Sequence, residues 1–181
     1  MQFGGALVIV DVQAEYMESA FNGAATVRVL TGLRDRAVQA GVPVVQIQHR
    51  EPGFGPGLPG WELAIPPARS ERVLVKDAPD AFVGTGLAEL LRAESAGTLV
   101  IGGFSTEYCV DSTVRAALSN AFDVIVPGDG HTSGTTGGVL PPAQVIAHHN
   151  HVFPGLSAAS RCRVAPAAEI DLGAVRAEHL R

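Results

Sequence analysis

The apolar stretch Ala6-Leu7-Val8-Ile9-Val10-Asp11, in which five apolar residues end at a carboxylate, decides the fold predicted for this chain. Two more apolar runs are followed by a polar or reactive residue. The run Val73-Leu74-Val75 ends at the ammonium of Lys76, and the run over residues 99–103 ends six positions before Cys109. If these runs are neighbouring parallel strands, their polar residues meet in one crevice, because α/β sheets bind ligands outside the carboxyl ends of their strands. The three runs therefore predict both a parallel sheet and a site at its edge.

Strand patterns alternate with helix patterns along the whole chain, which favours a mostly parallel sheet covered on both faces. Helices are predicted after the N-cap candidates Thr26 and Thr85, and over residues 108–120 and 141–150. Strands are predicted over residues 6–10, 42–48, 72–76, 98–103, 122–126 and 161–164. We therefore predict a single α/β domain over residues 1–181, a doubly wound, Rossmann-like three-layer fold with a six-stranded sheet.

Composition narrows the class of partner. With 181 residues, 46% hydrophobic and 17% charged, the chain is typical of a packed globular protein. A net charge of −5 offers no basic stripe for phosphates, so we expect no nucleic-acid partner. No apolar run approaches the roughly 18–20 residues of a membrane span, and residues 1–5 resemble no secretory signal. We expect a cytoplasmic protein that acts on a small molecule without contact to a membrane.

Asp11, Lys76 and Cys109 are the candidate chemical groups. Lys76 is the sole lysine of the chain, and Cys109 lies in a strand-to-helix turn, where backbone N–H groups favour negative charge. A carboxylate, an ammonium and a thiol at one place can make an activated nucleophile, and we expect a lowered thiol pKa at Cys109. Each residue also has a structural interpretation: a buried small hydrophobe for Cys109, a turn cap for Asp11, and an ion pair with Asp77 for Lys76.

Metal and nucleotide cofactors are not expected. Four histidines are candidate metal ligands, but no acidic residue or cysteine stands at matching spacing. Helix packing or a subunit contact accounts for these histidines better. These are His131, His148, His149 and His151. The first strand lacks a following G-x-G-x-x-G, which disfavours a dinucleotide. The two cysteines, Cys109 and Cys162, form neither a disulfide framework nor a zinc site by spacing, as is typical of a reducing compartment.

Three segments resemble the isochorismatase-like cysteine hydrolases, a superfamily that includes nicotinamidases and other small amidases. Residues 8–13 are similar to the family's opening strand with its Asp, and residues 75–82 resemble its Lys segment. Residues 103–110, Gly-Phe-Ser-Thr-Glu-Tyr-Cys-Val, resemble its nucleophile segment, which is the most specific of the three. The similarity extends over nearly the whole chain and implies the same three-layer fold.

The resemblance implies a role for each residue. Cys109 would attack an amide carbonyl to form a thioester, Asp11 would accept the thiol proton and later return it, and Lys76 would hold the ion pair. A cis peptide at Phe104-Ser105 would aim the Ser105 N–H, with that of Cys109, into an oxyanion hole. The metal-binding nicotinamidases carry an Asp-x-His pair and a further His after the second strand, where this chain has only His49, so neither zinc nor nicotinamide is implied.

The sequence also leads to expectations about the substrate pocket and about the oligomeric state. A partly aromatic substrate pocket is predicted from Tyr16, Phe54, Trp61, Phe82 and Tyr108. Relatives of this family commonly assemble, and we expect a homodimer or homotetramer. Its contacts would lie in the Gly- and Pro-rich loop over residues 54–61 and in the helix with His148 and His149.

Two alternatives stay open at this point. The first is a hydrolase of the isochorismatase type, in which Asp11 acts as an acid on a vinyl ether without a thiol. The second is a non-catalytic or redox-sensing protein in which Cys109 is an oxidisable thiol. A redox sensor would need a resolving cysteine beside Cys109, and Cys162 on the last predicted strand is a poor candidate.

Overall fold

A computed structural model describes residues 4–135, 139–156 and 159–175 of the protein. The strands in these ranges are β1 Gly4–Val10, β2 Val44–His49, β3 Arg72–Lys76, β4 Ala96–Phe104, β5 Asp123–Pro127, β6 His131–Thr132 and β7 Cys162–Ala165. The α-helices are α1 Ala14–Ser19, α2 Gly23–Gln39, α3 Leu87–Ala93, α4 Asp111–Ser119, α5 Pro142–Val152 and α6 Leu172–Val175. A π-helical turn, Thr106–Val110, joins β4 to α4.

The strands form one parallel sheet in the order β3-β2-β1-β4-β5-β7, with β6 beside the end of β4. The chain runs outward from β1 to β3 and then returns to pair β4 with the other side of β1. The switch point of the sheet therefore lies between β1 and β4, where α/β folds open a crevice at the carboxyl ends. The doubly wound α/β fold is confirmed, but the prediction of six strands is wrong: β6 is two residues long, too short to give a hydrophobic pattern.

Alternate residues of β1 face opposite layers, as the pleat of a strand requires. Val8 packs in a cluster with the side chains of α3 and α4, whereas Ile9 packs in a second cluster with α2 and α6. Both residues are completely buried. The sheet is thus the middle of three layers, which explains why its central strands are continuously apolar.

Several helix ends differ from the predicted ones. The helix α2 begins at Gly23, after Asn22 at φ 54°, and Thr26 is buried inside it rather than capping it. At α3 the cap residue is Gly86, and Thr85, one residue earlier, accepts a hydrogen bond from the Leu87 N–H at 3.2 Å. The predicted helix 108–120 consists of part of the π-turn followed by α4.

Gly103 allows β4 to lie close against β1. Its φ is +135°, and a Cβ at this position would stand 2.0 Å from the carbonyl oxygen of Val10. Only glycine tolerates both the dihedral and the contact. This close approach brings the segment after β4 next to the end of β1.

The two segments expected to form assembly contacts differ in how far they are buried. In the loop over residues 54–61, Phe54 is buried within its own chain, whereas α5 has no fully buried residue. The homodimer or homotetramer stays a prediction.

Within the described ranges, none of the helices combines the length and the apolar character needed to cross a membrane.

Candidate active site

Asp11 stands directly after β1 in a constrained backbone conformation. Its φ is 52°, in the left-handed region that Asp tolerates better than most residues, and its N–H donates to the carbonyl of Ile47 at 3.0 Å. Only 1% of the residue is exposed. The strand thus delivers a buried carboxylate to the switch point of the sheet.

Lys76 ends β3 and reaches across the end of β2 to this carboxylate. Its Nζ lies 2.7 Å from Asp11 Oδ2 and 3.2 Å from Cys109 Sγ, and its side chain is completely buried. The expectation that the three strands are neighbours is therefore wrong for β3, since β2 lies between it and β1. The long lysine side chain bridges the gap of two strand spacings, about 10 Å.

Cys109 lies on the π-helical turn after β4. The carbonyl of Ser105 accepts hydrogen bonds from the N–H groups of Tyr108 and Val110, both at 3.1 Å, which gives the turn its wide first loop. Turns of this kind are frequent at functional sites. The half-buried thiol is held against Lys76 by this local geometry.

Burial sets the charges of the resting site. Desolvation raises the pKa of Asp11 to about 6 despite the opposing effect of Lys76. Desolvation, and then the Asp11 carboxylate, raise the pKa of the Cys109 thiol to about 12. At neutral pH, Asp11 is thus a carboxylate and Cys109 a thiol, and the expected lowering of the thiol pKa is wrong for the unliganded protein, because burial and a like charge outweigh Lys76.

This charge distribution suits proton transfer inside the site. When the Cys109 proton moves to Asp11, the carboxylate charge that opposed the thiolate disappears, and the Lys76 ammonium then faces the thiolate alone. The nucleophile can thus be generated at the moment of attack rather than stored.

Ser105 directly precedes the π-helical turn that holds Cys109. The peptide bond between Phe104 and Ser105 is cis, and the Ser105 N–H has no acceptor among the described residues. The Ser105 hydroxyl donates to Glu107 Oε2 at 2.7 Å, and Ser133 donates to Glu107 Oε1 at 2.7 Å. Glu107 thereby links the side chains of Ser105 and Ser133.

Three of the five predicted pocket residues gather near these groups. Tyr16 lies between Phe54 and Phe104, with ring centroids 4.9 and 5.1 Å away. Its pKa is raised by burial first, then by the charge of Glu51, and further by Asp11 and Cys109. Trp61 donates from its indole to the carbonyl of His49 at 3.1 Å.

The other two predicted pocket residues are placed differently. Phe82 packs against Phe122 with ring centroids 6.0 Å apart, and Phe122 precedes β5, which lies on the far side of β4 from β1. Tyr108 is 63% exposed although it adjoins Cys109 in sequence. The structure therefore turns Phe82 toward the core, and it gives Tyr108 a place at the surface.

His49 is the group that sequence analysis left without a role. It ends β2, and its Nδ1 lies 3.2 Å from Lys76 Nζ. Parallel register pairs His49 with Lys76 directly. A histidine at the end of the second strand was visible in the sequence, but its neighbour was not, because the order of the strands is needed to see it.

The histidines of the described residues have structural contacts rather than a shared metal site. Within the described part of the chain, no group of three or more His, Cys, Asp and Glu residues is arranged to hold a metal ion. His131 instead links Thr106 Oγ1 and Asn150 Oδ1, at 2.9 Å each, and packs against Phe153. It therefore fastens α5 to the π-turn.

Comparison with known proteins identifies the family of this chain. The isochorismatase domain model matches residues 5–140, which hold Asp11, Lys76 and Cys109. The chain belongs to the isochorismatase family. A crystal structure of an isochorismatase from Pseudomonas putida KT2440 superposes with a TM-score of 0.85 at 25% identity, over 94% of this chain and 91% of that one.

Two relatives of this isochorismatase-family chain carry names that state an activity. A streptothricin hydrolase of Streptomyces noursei is 39% identical over 136 residues, which are 71% of this chain and 49% of that protein. The maleamate amidohydrolase of Pseudomonas putida is 37% identical over 73 residues, 38% of this chain and 34% of that protein. The chain thus spans about half the length of the streptothricin hydrolase and a third of the amidohydrolase.

Proposed function

We propose that this protein hydrolyses the C–N bond of a small-molecule amide through a thioester on Cys109, with Asp11 as proton carrier and Lys76 as the fixed charge. The observation that carries the proposal is the buried ammonium of Lys76, within 2.7 Å of Asp11 Oδ2 and 3.2 Å of Cys109 Sγ. The amidohydrolase and hydrolase names among the relatives support the same class of reaction.

In the first half of the reaction, Cys109 Sγ bonds to the amide carbonyl carbon while its proton passes to Asp11. The carbonyl oxygen gains the negative charge, and the Ser105 N–H, together with that of Cys109, stabilises it as an oxyanion hole. Collapse of this intermediate breaks the C–N bond, and the leaving nitrogen takes the proton from Asp11. An amine or ammonia departs and a thioester remains.

In the second half, water attacks the thioester carbonyl and gives one proton to the Asp11 carboxylate. The carbon–sulfur bond then breaks, and the thiolate recovers that proton as the carboxylic acid leaves. The Lys76 ammonium stabilises whichever of Asp11 and Cys109 carries the negative charge. Tyr16, Phe54 and Trp61 are the proposed contacts to the substrate.

A panel of small amides tests the proposal directly. Release of amine or ammonia is measured with the wild type and with Cys109→Ala, whose fold is checked by circular dichroism. We expect turnover of at least one amide by the wild type and none by the variant. Equal turnover by both proteins would remove the covalent route through Cys109.

A further inference from the structure

The Lys76 ammonium has three acceptors around it, and the proposed reaction uses only two. An ammonium carries three N–H donors and accepts nothing. Its three polar neighbours are Asp11 Oδ2 at 2.7 Å, Cys109 Sγ at 3.2 Å and His49 Nδ1 at 3.2 Å. Because the ammonium can only donate, Nδ1 of His49 must accept, and the ring proton must sit on Nε2.

The backbone of His49 is fixed from two sides. Its N–H donates to Gln13 Oε1 at 2.8 Å, and its carbonyl accepts from Gln13 Nε2 at 3.3 Å and from the Trp61 indole at 3.1 Å. Gln13 is completely buried. The backbone that carries the imidazole is therefore fixed at the end of β2, next to Lys76.

The His49 imidazole must be neutral to accept a hydrogen bond at Nδ1, and the surroundings of the ring favour that form. Burial and then the charge of Lys76 lower the pKa of His49, and the smaller effects of the Glu51 and Asp77 carboxylates oppose them. A protonated imidazole would place a second cation against the ammonium. The neutral form with its proton on Nε2 satisfies both groups.

We propose that His49 is a positioning residue of this site: its Nδ1 takes the third hydrogen of the Lys76 ammonium and so keeps the other two aimed at Asp11 and Cys109. This inference rests on the proposed hydrolase function. Without the imidazole, Lys76 would leave a buried donor unpaired or would rotate toward another acceptor. Either change weakens the charge that the proton transfer needs.

Two substitutions of His49 distinguish the effect of losing the Nδ1 hydrogen bond from the effect of losing the volume of the ring. His49→Asn keeps an acceptor oxygen where Nδ1 stands, whereas His49→Leu fills a similar volume without one. We expect His49→Leu to lower kcat about 10- to 100-fold, the scale of one hydrogen bond to a charged group, with little change in KM. His49→Asn should retain most of kcat. An unchanged kcat in His49→Leu, or equal losses in both variants, would overturn the inference.

A measurement without substrate distinguishes failure of this inference from failure of the proposed function. The 15N spectrum of the His49 imidazole, assigned by its absence in His49→Asn, reports which ring nitrogen carries the proton. We expect the Nε2–H form in the wild type at pH 8 and a mixture of both forms in Lys76→Met. A dominant Nδ1–H form in the wild type would refute the positioning role even if the protein hydrolyses amides. The expected spectrum without amide turnover would refute the hydrolase instead.

Discussion

Asp11 should titrate near pH 6 in the wild type, and replacing Lys76 by Met should raise its pKa further. Desolvation raises this pKa from 3.8 to about 6, and the ammonium 2.7 Å away restrains the rise. An opposite charge at this distance lowers a carboxyl pKa by about 1–3 units, so the variant should titrate at roughly pH 7 to 9. The methionine keeps most of the side-chain volume, so the loss of charge is the main change.

The sign of the pH dependence follows from the required form of Asp11. Only the carboxylate can accept the thiol proton, so kcat/KM of the wild type should fall about tenfold per pH unit below pH 6. The free energy of unfolding should change with pH in the opposite direction. Because the folded pKa lies above the ordinary 3.8, the contribution of Asp11 to stability is present below pH 3.8 and is lost as pH rises through about 6. The loss is about 3 kcal/mol, at 1.36 kcal/mol per pKa unit.

Two assays check this prediction. Carboxyl 13C spectra of Asp-labelled protein, with the Asp11 signal identified by its absence in Asp11→Asn, give the pKa in the wild type and in Lys76→Met. Urea unfolding from pH 4 to 7 gives the stability of the wild type relative to Asp11→Asn. A wild-type pKa near 4, or a pKa that does not rise in Lys76→Met, would refute the electrostatic reasoning.

Three further outcomes are expected. Alkylation of Cys109 by iodoacetamide should keep accelerating above pH 9, because burial and Asp11 raise its pKa to about 12; a plateau of the rate below pH 8 would contradict this. Gly103→Ala should destabilise the fold by about 3 kcal/mol or more in urea unfolding, through the contact with Val10, whereas Gly134→Ala, which meets nothing within 4 Å, should be nearly neutral. Exhaustive chelation should leave amide turnover unchanged, and a loss of turnover that zinc restores would refute that expectation.

The sequence was sufficient to predict which edge of the sheet carries polar groups. Asp11, Lys76 and Cys109 each follow an apolar run, and parallel strands bring their carboxyl ends to one edge. The structure places all three there, in contact through Lys76. This part of the prediction depended only on chain direction, which hydrophobic runs and intervening helices reveal.

The order of the strands could not be predicted from the same patterns. Nothing in the sequence states that β2 lies between β1 and β3, and this order is what brings His49 against Lys76. The thiol pKa was predicted in the wrong direction for a related reason. The sequence indicates which charges are nearby, but the degree of burial, the dominant cause at Cys109, is a property of the packed fold.

Loop aromatics were the least predictable. Trp61 lies in the Gly- and Pro-rich loop and Phe82 at the end of the Lys segment. Both are predicted to line the pocket, yet Trp61 contacts His49 while Phe82 packs against Phe122. An aromatic side chain has equal reason to bury itself in a core or in a crevice. The backbone path of the loop decides between these, and local sequence does not define that path.

The covalent step is the central claim, and the mass of the intact enzyme tests it most directly. The wild type is mixed with an amide that it turns over, quenched in acid within milliseconds to seconds and measured by mass spectrometry, with peptide mapping to locate any adduct. The account predicts an added mass equal to the acyl group of the substrate, located on Cys109 and absent in Cys109→Ala. An adduct on another residue, or turnover by Cys109→Ala at the wild-type rate, would contradict it.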